Sequence, residues 1–417
     1  MKKMKDSGIE WIGQIPEDRK LIRSKYALSY IKGRIPTETN TEQNGVPYIG
    51  ASDLDNLSGR SEYSIYTRDT DIPVCGYEDI LVLWDGARAG LIGRNHMGAI
   101  SSTIVKIIPN DDIDKRFFFW YLKGFEKYLY ECVNGTTIPH MNKKYIEDIS
   151  MLDWSLDDQI RIADFLDEKC SKIDRYIEKQ QQIIDKLKAY KQAVITEAVT
   201  KGLDPDVPMK DSGIEWIGEI PEHWKIEKLK YATTIMRGKF SHRPRNDPDY
   251  YDGQYPFVQT GDVARAIKYI STYTQTLNEL GYSVSKEFPK GSIVMTIAAN
   301  VADVAILDFN ACFPDSVVGF VPEEIKQMYL FYALRSMKQQ LLRNAIISTQ
   351  LNLNIEIIKE EFIPIPSEYE QEMISHFIDG KCDEIDSTIS KKQALIDKIT
   401  EYKKSLIYEA VTGKLEV

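Results

Sequence analysis

The chain has 417 residues, 43% apolar and 28% charged, which is ordinary for a globular protein and gives room for about two to four domains. Its 53 basic and 63 acidic residues leave a net charge of −10, which argues against a free-standing nucleic-acid binder but allows local basic loops. No apolar run approaches the roughly 18 residues of a membrane span, no apolar stretch follows the N-terminal lysines as in a secretory signal, and the cysteines at 75, 132, 170, 312 and 382 form no CxxC pair, so the expectation is a cytoplasmic protein with neither a disulfide framework nor a zinc site.

Residues 4–20 return at 209–225 with 14 of 17 positions identical, including Ser7-Gly8-Ile9-Glu10-Trp11-Ile12-Gly13 against Ser212-Gly213-Ile214-Glu215-Trp216-Ile217-Gly218. A duplication at this period is far longer than a solenoid repeat and marks a tandem domain pair. The segments divide as 1–20 (shared opening), 21–155 (first variable block), 156–208 (first long helix), 209–225 (repeated opening), 226–366 (second variable block) and 367–417 (second long helix).

In the first variable block, β-branched and aromatic runs at 79–84 and 102–108 predict strands, and 115–131 predicts a helix. Lys32-Gly33-Arg34 and Val46-Pro47-Tyr48-Ile49 precede them, opposite Arg237-Gly238-Lys239 and Tyr255-Pro256-Phe257-Val258 of the second block. There the runs 292–297 and 316–321 predict strands, and 323–343 a helix with Pro322 at its start. Each block reads as a small, β-rich α+β domain: one scaffold with diverged surfaces.

The segments 167–200 and 379–412 align without gaps, 18 of 34 positions matching. Apolar residues step by four and three: Ile173, Ile177, Ile184, Leu187 and Val194 in the first, Ile385, Ile389, Ile396, Ile399 and Leu406 in the second. That is a heptad seam, and two such helices in one chain are expected to bury their seams against each other. Polar residues interrupt both seams at matched places, Gln180 with Lys392 and Lys191 with Lys403, which costs stability but fixes register. Two separate amphipathic helices, each lying on its own domain, are the plainer alternative. Gly202 and Pro205 stop the first helix.

The order of these features resembles a type I restriction–modification specificity (S) subunit. The shared opening, the basic glycine turn Lys32-Gly33-Arg34-Ile35-Pro36, and Ser348-Thr349-Gln350-Leu351-Asn352 followed by Ile363-Pro364-Ile365-Pro366 and Glu370-Gln371 carry the likeness. Asn134-Gly135-Thr136-Thr137 and Asp158-Gln159 stand at the matching places of the first half. Each motif is weak alone; their order, twice over, spans essentially the whole chain. The resemblance implies two target-recognition domains, each reading half of a bipartite site in double-stranded DNA. It implies an antiparallel coiled coil of the long helices that separates the two domains, a pseudo-two-fold tandem duplication, and partnership with two modification (methyltransferase) subunits and with restriction subunits. S-adenosylmethionine would belong to the modification subunit and ATP with Mg²⁺ to the restriction subunit, this chain binding no cofactor and no metal and touching no membrane.

Catalysis is not expected. Asn246-Asp247-Pro248-Asp249-Tyr250 echoes the base-holding motif of amino-methyltransferases but carries Asp at both inner proline places, and no glycine-rich cofactor loop accompanies it. Pro314-Asp315 with Glu324-Ile325-Lys326 has nuclease-like spacing, but that chemistry needs a strand where a helix start is expected. A self-contained restriction–methylation enzyme is therefore disfavoured, and a coiled-coil protein-interaction adaptor is the other rival.

Base reading needs loop donors and acceptors. In the first domain the candidates are Arg34, Thr37, Arg88, Arg94, Asn95, His96, Lys143 and Lys144. In the second they are Arg237, Lys239, His242, Arg243 and Arg245, five basic side chains within nine residues, with Gln259, Asn300, Gln350 and Asn352 as weaker additions. For any one of these an ordinary solvated loop is the plainer reading. Trp11 and Trp216, lying in segments that cannot tell two half-sites apart, are assigned to packing or subunit contact.

Overall fold

The computed structural model describes residues 3–9, 12–23, 28–55, 63–134, 139–347 and 351–417. The chain divides into two compact units, Met1–Gln181 with Gln393–Val417, and Gln182–Lys392. Each holds one variable block and a stretch of both long helices, which run over Leu156–Lys201 and Glu368–Val411.

In the first unit an antiparallel sheet takes the order Leu28–Lys32, Ile104–Pro109, Ile80–Leu83, Ile92–Gly93. Beside it lies a mixed sheet in which Val46–Ile49 runs parallel to Gly98–Ile100. The run Ile80–Leu83 is buried at every position because the strand is covered on both faces. Ile80 and Val82 enter the core shared with the helices, while Leu81 and Leu83 enter a second cluster with Ile49 and Ile100. This is the period-two alternation of a strand with both faces dry. At about 1.5–3 kcal/mol per fully buried large apolar side chain, such a strand is a major contributor to the fold.

The second unit repeats the plan. Its five-stranded sheet takes the order Thr233–Arg237, Val317–Pro322, Ile293–Thr296, Val304–Leu307, Tyr269–Ile270. Ile293 and Met295 face the helix side, and Val294 packs with Phe288 and Phe313 on the other. Both openings fold into the same short hairpin, Met4–Asp6 with Gln14–Pro16 and Met209–Asp211 with Glu219–Pro221.

The helices expected at 115–131 and 323–343 are each broken in two. The first is Lys115–Gly124 then Glu126–Asn134, with the Phe125 N–H turned back to Leu122 O. The second is Gln327–Ser336 then Lys338–Asn344, beginning four residues later than expected. Pro322 does not start this helix: it ends the strand Val317–Pro322, paired to Thr233. A contact remote in sequence meets the start of each helix. The Lys326 N–H, at the helix cap, donates to Gln371 Oε1 at 2.9 Å, and Asp114 N donates to Gln159 Oε1 at 2.9 Å in the first unit. The first helix begins at Lys115 as expected, with a local cap in which Asp114 Oδ1 accepts the Phe117 N–H; the second begins late, where its long helix supplies a cap that local signals cannot show.

Within each unit the two long helices run antiparallel, and every seam residue named above is buried or half-buried. Two of the polar seam lysines, Lys191 and Lys403, find carboxylates on the opposite helix. Lys403 Nζ lies 2.6 Å from Asp174 Oδ1 in the first unit, and Lys191 Nζ lies 2.5 Å from Asp386 Oδ2 in the second. Asp174 and Asp386 stand at matched places of the duplication, so one cross-helix device occurs twice. A seam lysine that reaches a carboxylate in only one register penalises every other register.

All five cysteines are free, and four of them are buried. Burial pushes the Cys170 thiol up to about 12, far from the reactive range. No helix among the described residues is long and apolar enough to cross a membrane.

Candidate nucleic-acid interface

The two basic glycine turns are built alike. A Cβ on Gly33 would stand 2.2 Å from the carbonyl oxygens of Ile100 and Ser101, and one on Gly238 would stand 2.3 Å from that of Pro314. Only glycine permits this approach. Each turn is then pinned by backbone bonds, Arg34 N to Ile100 O at 3.2 Å and Lys239 N to Phe313 O at 3.0 Å. The cationic loops of the two units therefore leave equivalent points of one scaffold.

In the second unit the loop 237–245 is organised around one carboxylate. Arg245 pairs with Asp315 Oδ1 at 2.5 Å, Arg243 lies 3.7 Å from Asp315 Oδ2, and Arg237 Nε donates to the Asp315 carbonyl. Arg243 also donates to the carbonyls of Phe240 and His242 at 2.7 Å each. Phe240 is buried against Tyr251 and Phe257, anchoring the loop. His242 stacks on Tyr250 with ring centroids 3.9 Å apart and bonds Asp247 at 3.0 Å, so it stiffens the loop. Arg243 and Arg245 keep side-chain exposures of 54% and 45%, and Lys239 is exposed.

The weaker candidates divide. Gln259 caps the helix Thr260–Arg265 in a box with Asp262, and its Nε2 donates to Gln275 at 2.9 Å, so its amide is engaged inside the domain. Asn300 is exposed on a turn that holds Ala299 and Ala302 at φ of 61° and 64°. Left-handed backbone costs a residue with a Cβ about 1–2 kcal/mol, so this tip is held against strain. Gln350 lies outside the described residues, as do Trp11, Gly135, Thr136, Thr137, Ser348 and Thr349. Asn352 pairs with Ile346 through its backbone.

In the first unit Arg34 is exposed, with Nη1 3.4 Å from the Asp71 carbonyl. Thr37 donates its N–H and its hydroxyl to Asp69 Oδ2 at 3.1 Å each. Arg88 is exposed and reaches the Ala51 carbonyl at 3.0 Å. Lys143 and Lys144 are exposed in the first turn of the helix Lys143–Glu147.

Three candidates of this domain are turned inward. Arg94 pairs with Asp167 on the first long helix and lies over the Phe119 ring at 4.4 Å, with a side-chain exposure of 13%. It fastens the domain to its helix and is not a base reader. Asn95 is half-buried at φ 68° and spends its N–H on the Tyr77 carbonyl. His96 is fully buried, bonded through Nδ1 to the Tyr63 hydroxyl at 3.2 Å. Its Nε2 is buried with no partner among the described residues, and burial depresses its pKa. Below about pH 6.5 an unfolded histidine takes up a proton that the buried ring resists, so stability should fall by up to about 1.4 kcal/mol per pH unit on acidification. Urea melts between pH 7 and 5 should show a shallower dependence in His96→Leu than in the wild-type chain; equal slopes would mean that the folded ring accepts the proton.

Neither enzyme-like motif forms a site. Pro248–Tyr250 is a turn of 3₁₀ helix capped by Asp247, not a base cradle. Glu324 is exposed in the bend before the domain helix, off any strand, while Asp315 is engaged by Arg245.

Sequence reasoning gave no structural role to the residues that fix these domains in place. Asp167 accepts from Trp120 Nε1 at 2.8 Å besides holding Arg94, and Asp379 holds Lys268 at 2.6 Å and the Tyr332 hydroxyl. Gln159 and Gln371 cap the domain helices. A signal existed, because each pair recurs at the same spacing in both halves.

Comparison with known proteins agrees with this architecture. Residues 28–201 and 221–401 each match the family described as type I restriction modification DNA specificity domain. The MjaVIII specificity subunit of Methanocaldococcus jannaschii, a type I restriction enzyme subunit, is 28% identical over 97% of this chain and 94% of that protein. The EcoBI specificity subunit of Escherichia coli is 25% identical over 91% of this chain and 82% of that protein. A chain solved in work on complex assembly and conformational transition of the type I R-M system shares the fold, with a TM-score of 0.70 at 16% identity over 96% of this chain and 99% of that one. With the specificity domain present twice on a duplicated scaffold, the chain belongs to the type I restriction–modification DNA specificity family.

Proposed function

We propose that the chain reads an asymmetric bipartite site in double-stranded DNA, one half through each unit, and does no chemistry itself. Two modification subunits, using S-adenosylmethionine, and restriction subunits, using ATP and Mg²⁺, act on the DNA it selects, in the cytoplasm. One observation carries this reading. The scaffold residues repeat at matched places (Gly33 and Gly238, Gln159 and Gln371, Asp167 and Asp379), while the loops leaving that scaffold carry different side chains. One frame with two different loop sets suits two different half-sites. Methylome sequencing with and without the gene tests it: a methylated palindrome would sink the asymmetry, and a gel shift without sequence preference in the presence of the modification subunit would favour a protein-interaction adaptor.

Within this reading, changing Arg243 and Arg245 to Ala should weaken binding through the second half-site and spare discrimination at the first. Phosphate contacts would flatten the salt slope by about one per residue lost. Guanine contacts would erase about 1–3 kcal/mol of preference at one base pair. A double variant unchanged in both respects would remove this loop from the interface.

A further inference from the structure

A turn joins the strands Ile80–Leu83 and Ile92–Gly93 of the first unit, and another joins Ile293–Thr296 and Val304–Leu307 of the second. The two turns share one frame. The Gly90 N–H closes the first onto the Leu83 carbonyl at 2.8 Å, and the Ala302 N–H closes the second onto that of Thr296 at 2.8 Å. Inside the frame, Ala89 N donates to Gly86 O at 2.9 Å and Val301 N to Ala299 O at 2.8 Å. Positive φ falls at matched places, 108° and 94° at Gly86 and Gly90, 61° and 64° at Ala299 and Ala302. Ala89 with Gly90, and Val301 with Ala302, are buried and root each turn in its domain. Between the matched places the chain is exposed and differs: Ala87-Arg88 in the first unit, Asn300 alone in the second.

The second turn is held in this shape at a cost, because positive φ is disfavoured for alanine and open to glycine. The Thr296 hydroxyl donates to the Asn300 carbonyl, and Asp303 is tied to Lys338 at 2.6 Å, so the turn is clamped and its own carboxylate is neutralised. What the clamp presents is the Asn300 amide, which makes no side-chain hydrogen bond among the described residues. Sheet register sets this turn beside the basic glycine turn. Thr296 pairs with Val317, and Arg237 pairs with the next residue, Val318, from the other side of the same strand. Both turns therefore leave one sheet edge, about 10 Å apart at two strand spacings. The first unit repeats the arrangement, with Leu83 on Ile104 and Lys32 on Val105. Cations on one turn suit phosphates, and an amide or guanidinium on its neighbour suits base edges; a two-stranded ribbon is a shape the major groove admits.

We propose that this turn is the base-reading finger of each unit, and that Asn300 reads an adenine in the second half-site. An asparagine amide matches adenine N6 and N7, whereas arginine, which Arg88 supplies at the matched place, favours guanine O6 and N7. One backbone frame thus gives the two halves different bases. The inference rests on the DNA reading proposed above.

The test uses the full chain with purified modification subunit, and duplexes carrying the methylated site with each base pair varied in turn. Asn300→Ala should melt like the wild type and lose about 10- to 100-fold of discrimination at one A·T pair of one half-site, other positions being unaffected. Asn300→Arg should move the preference at that same pair toward G·C, because it installs the side chain that the first unit carries there. Folded variants that discriminate within two-fold of wild type at every pair, a uniform loss of affinity on all sequences, a loss confined to a G·C pair, or an Asn300→Arg chain that keeps the adenine preference would each overturn the inference and leave the proposed function standing. A wild-type complex with no sequence preference would overturn both.

Discussion

Replacing Asp167 by Ala should destabilise the first unit by about 3 kcal/mol, the low end for breaking a buried charge pair, because this pair is only partly shielded from water. Arg94 would be left over the Phe119 ring without its carboxylate, and the Trp120 N–H would lose its acceptor. The buried Arg94 Nε meets no acceptor among the described residues, so the cation has little to fall back on. Adding Arg94→Met should recover part of the loss, since an uncharged side chain of similar length suits the aromatic site. Asp379→Ala should cost less, about 1–2 kcal/mol, because Lys268 keeps 28% side-chain exposure and can turn to water. Urea unfolding with hydrogen exchange assigned to each unit checks both values. A loss below 1 kcal/mol for Asp167→Ala would mean that the domain is held to its helix by apolar packing alone.

Matched insertions of four residues, after Gln181 and after Lys392, should move the preferred DNA gap and leave both half-sites unchanged. Both helices pass from one unit into the other at these points. Because the helices run antiparallel, an insertion in only one would displace Lys191 from Asp386 or Lys403 from Asp174. Four residues add about 6 Å of helix, at most about 2 bp of B-DNA, and keep the seam facing inward with slight unwinding. The variant should abandon the wild-type site and methylate one with a gap longer by about one or two base pairs. An unchanged gap would assign the helices to subunit docking and not to spacing.

The long helices were legible because their signal is periodic: every expected seam residue is shielded in the structure. The four apolar runs became strands within a residue or two because they are buried on both faces. Of the domain helices, the first starts at Lys115 as expected and the second four residues late, where Gln371 meets its cap from elsewhere in the chain, and the break in each was not expected. Charge was the least readable property. Arg94 and His96 stand in sequence beside Asn95 like the tip of a basic loop, yet an ion pair with Asp167 and a hydroxyl contact from Tyr63 draw them inward. A sequence counts cations without showing which carboxylate each will meet. Asp315 teaches the same lesson from the other side: it looked like a fragment of a nuclease motif and proves to be the acid that arranges Arg243 and Arg245.

The interleaving of the two units also sets an order of events during synthesis. The second unit is one unbroken stretch of chain, whereas the first needs Gln393–Val417 to be complete. Leu406, Ile407, Ala410 and Val411 lie in its core, Tyr408 donates to the Ile12 carbonyl at 2.7 Å, and Trp154 Nε1 donates to the Val411 carbonyl at 3.1 Å. At about 5–20 residues per second, the part made first waits on the order of 10–40 s for the part made last. During that interval the aromatic run Phe117–Phe118–Phe119–Trp120–Tyr121 has only part of its final cover, and the second unit is complete only for about the last 1–5 s of it. A ribosome that stops before the final helix turns releases a molecule whose later-made half is folded and whose earlier-made half displays apolar surface to chaperones and proteases. Protein quality control would thus see any incomplete reader through its first recognition domain.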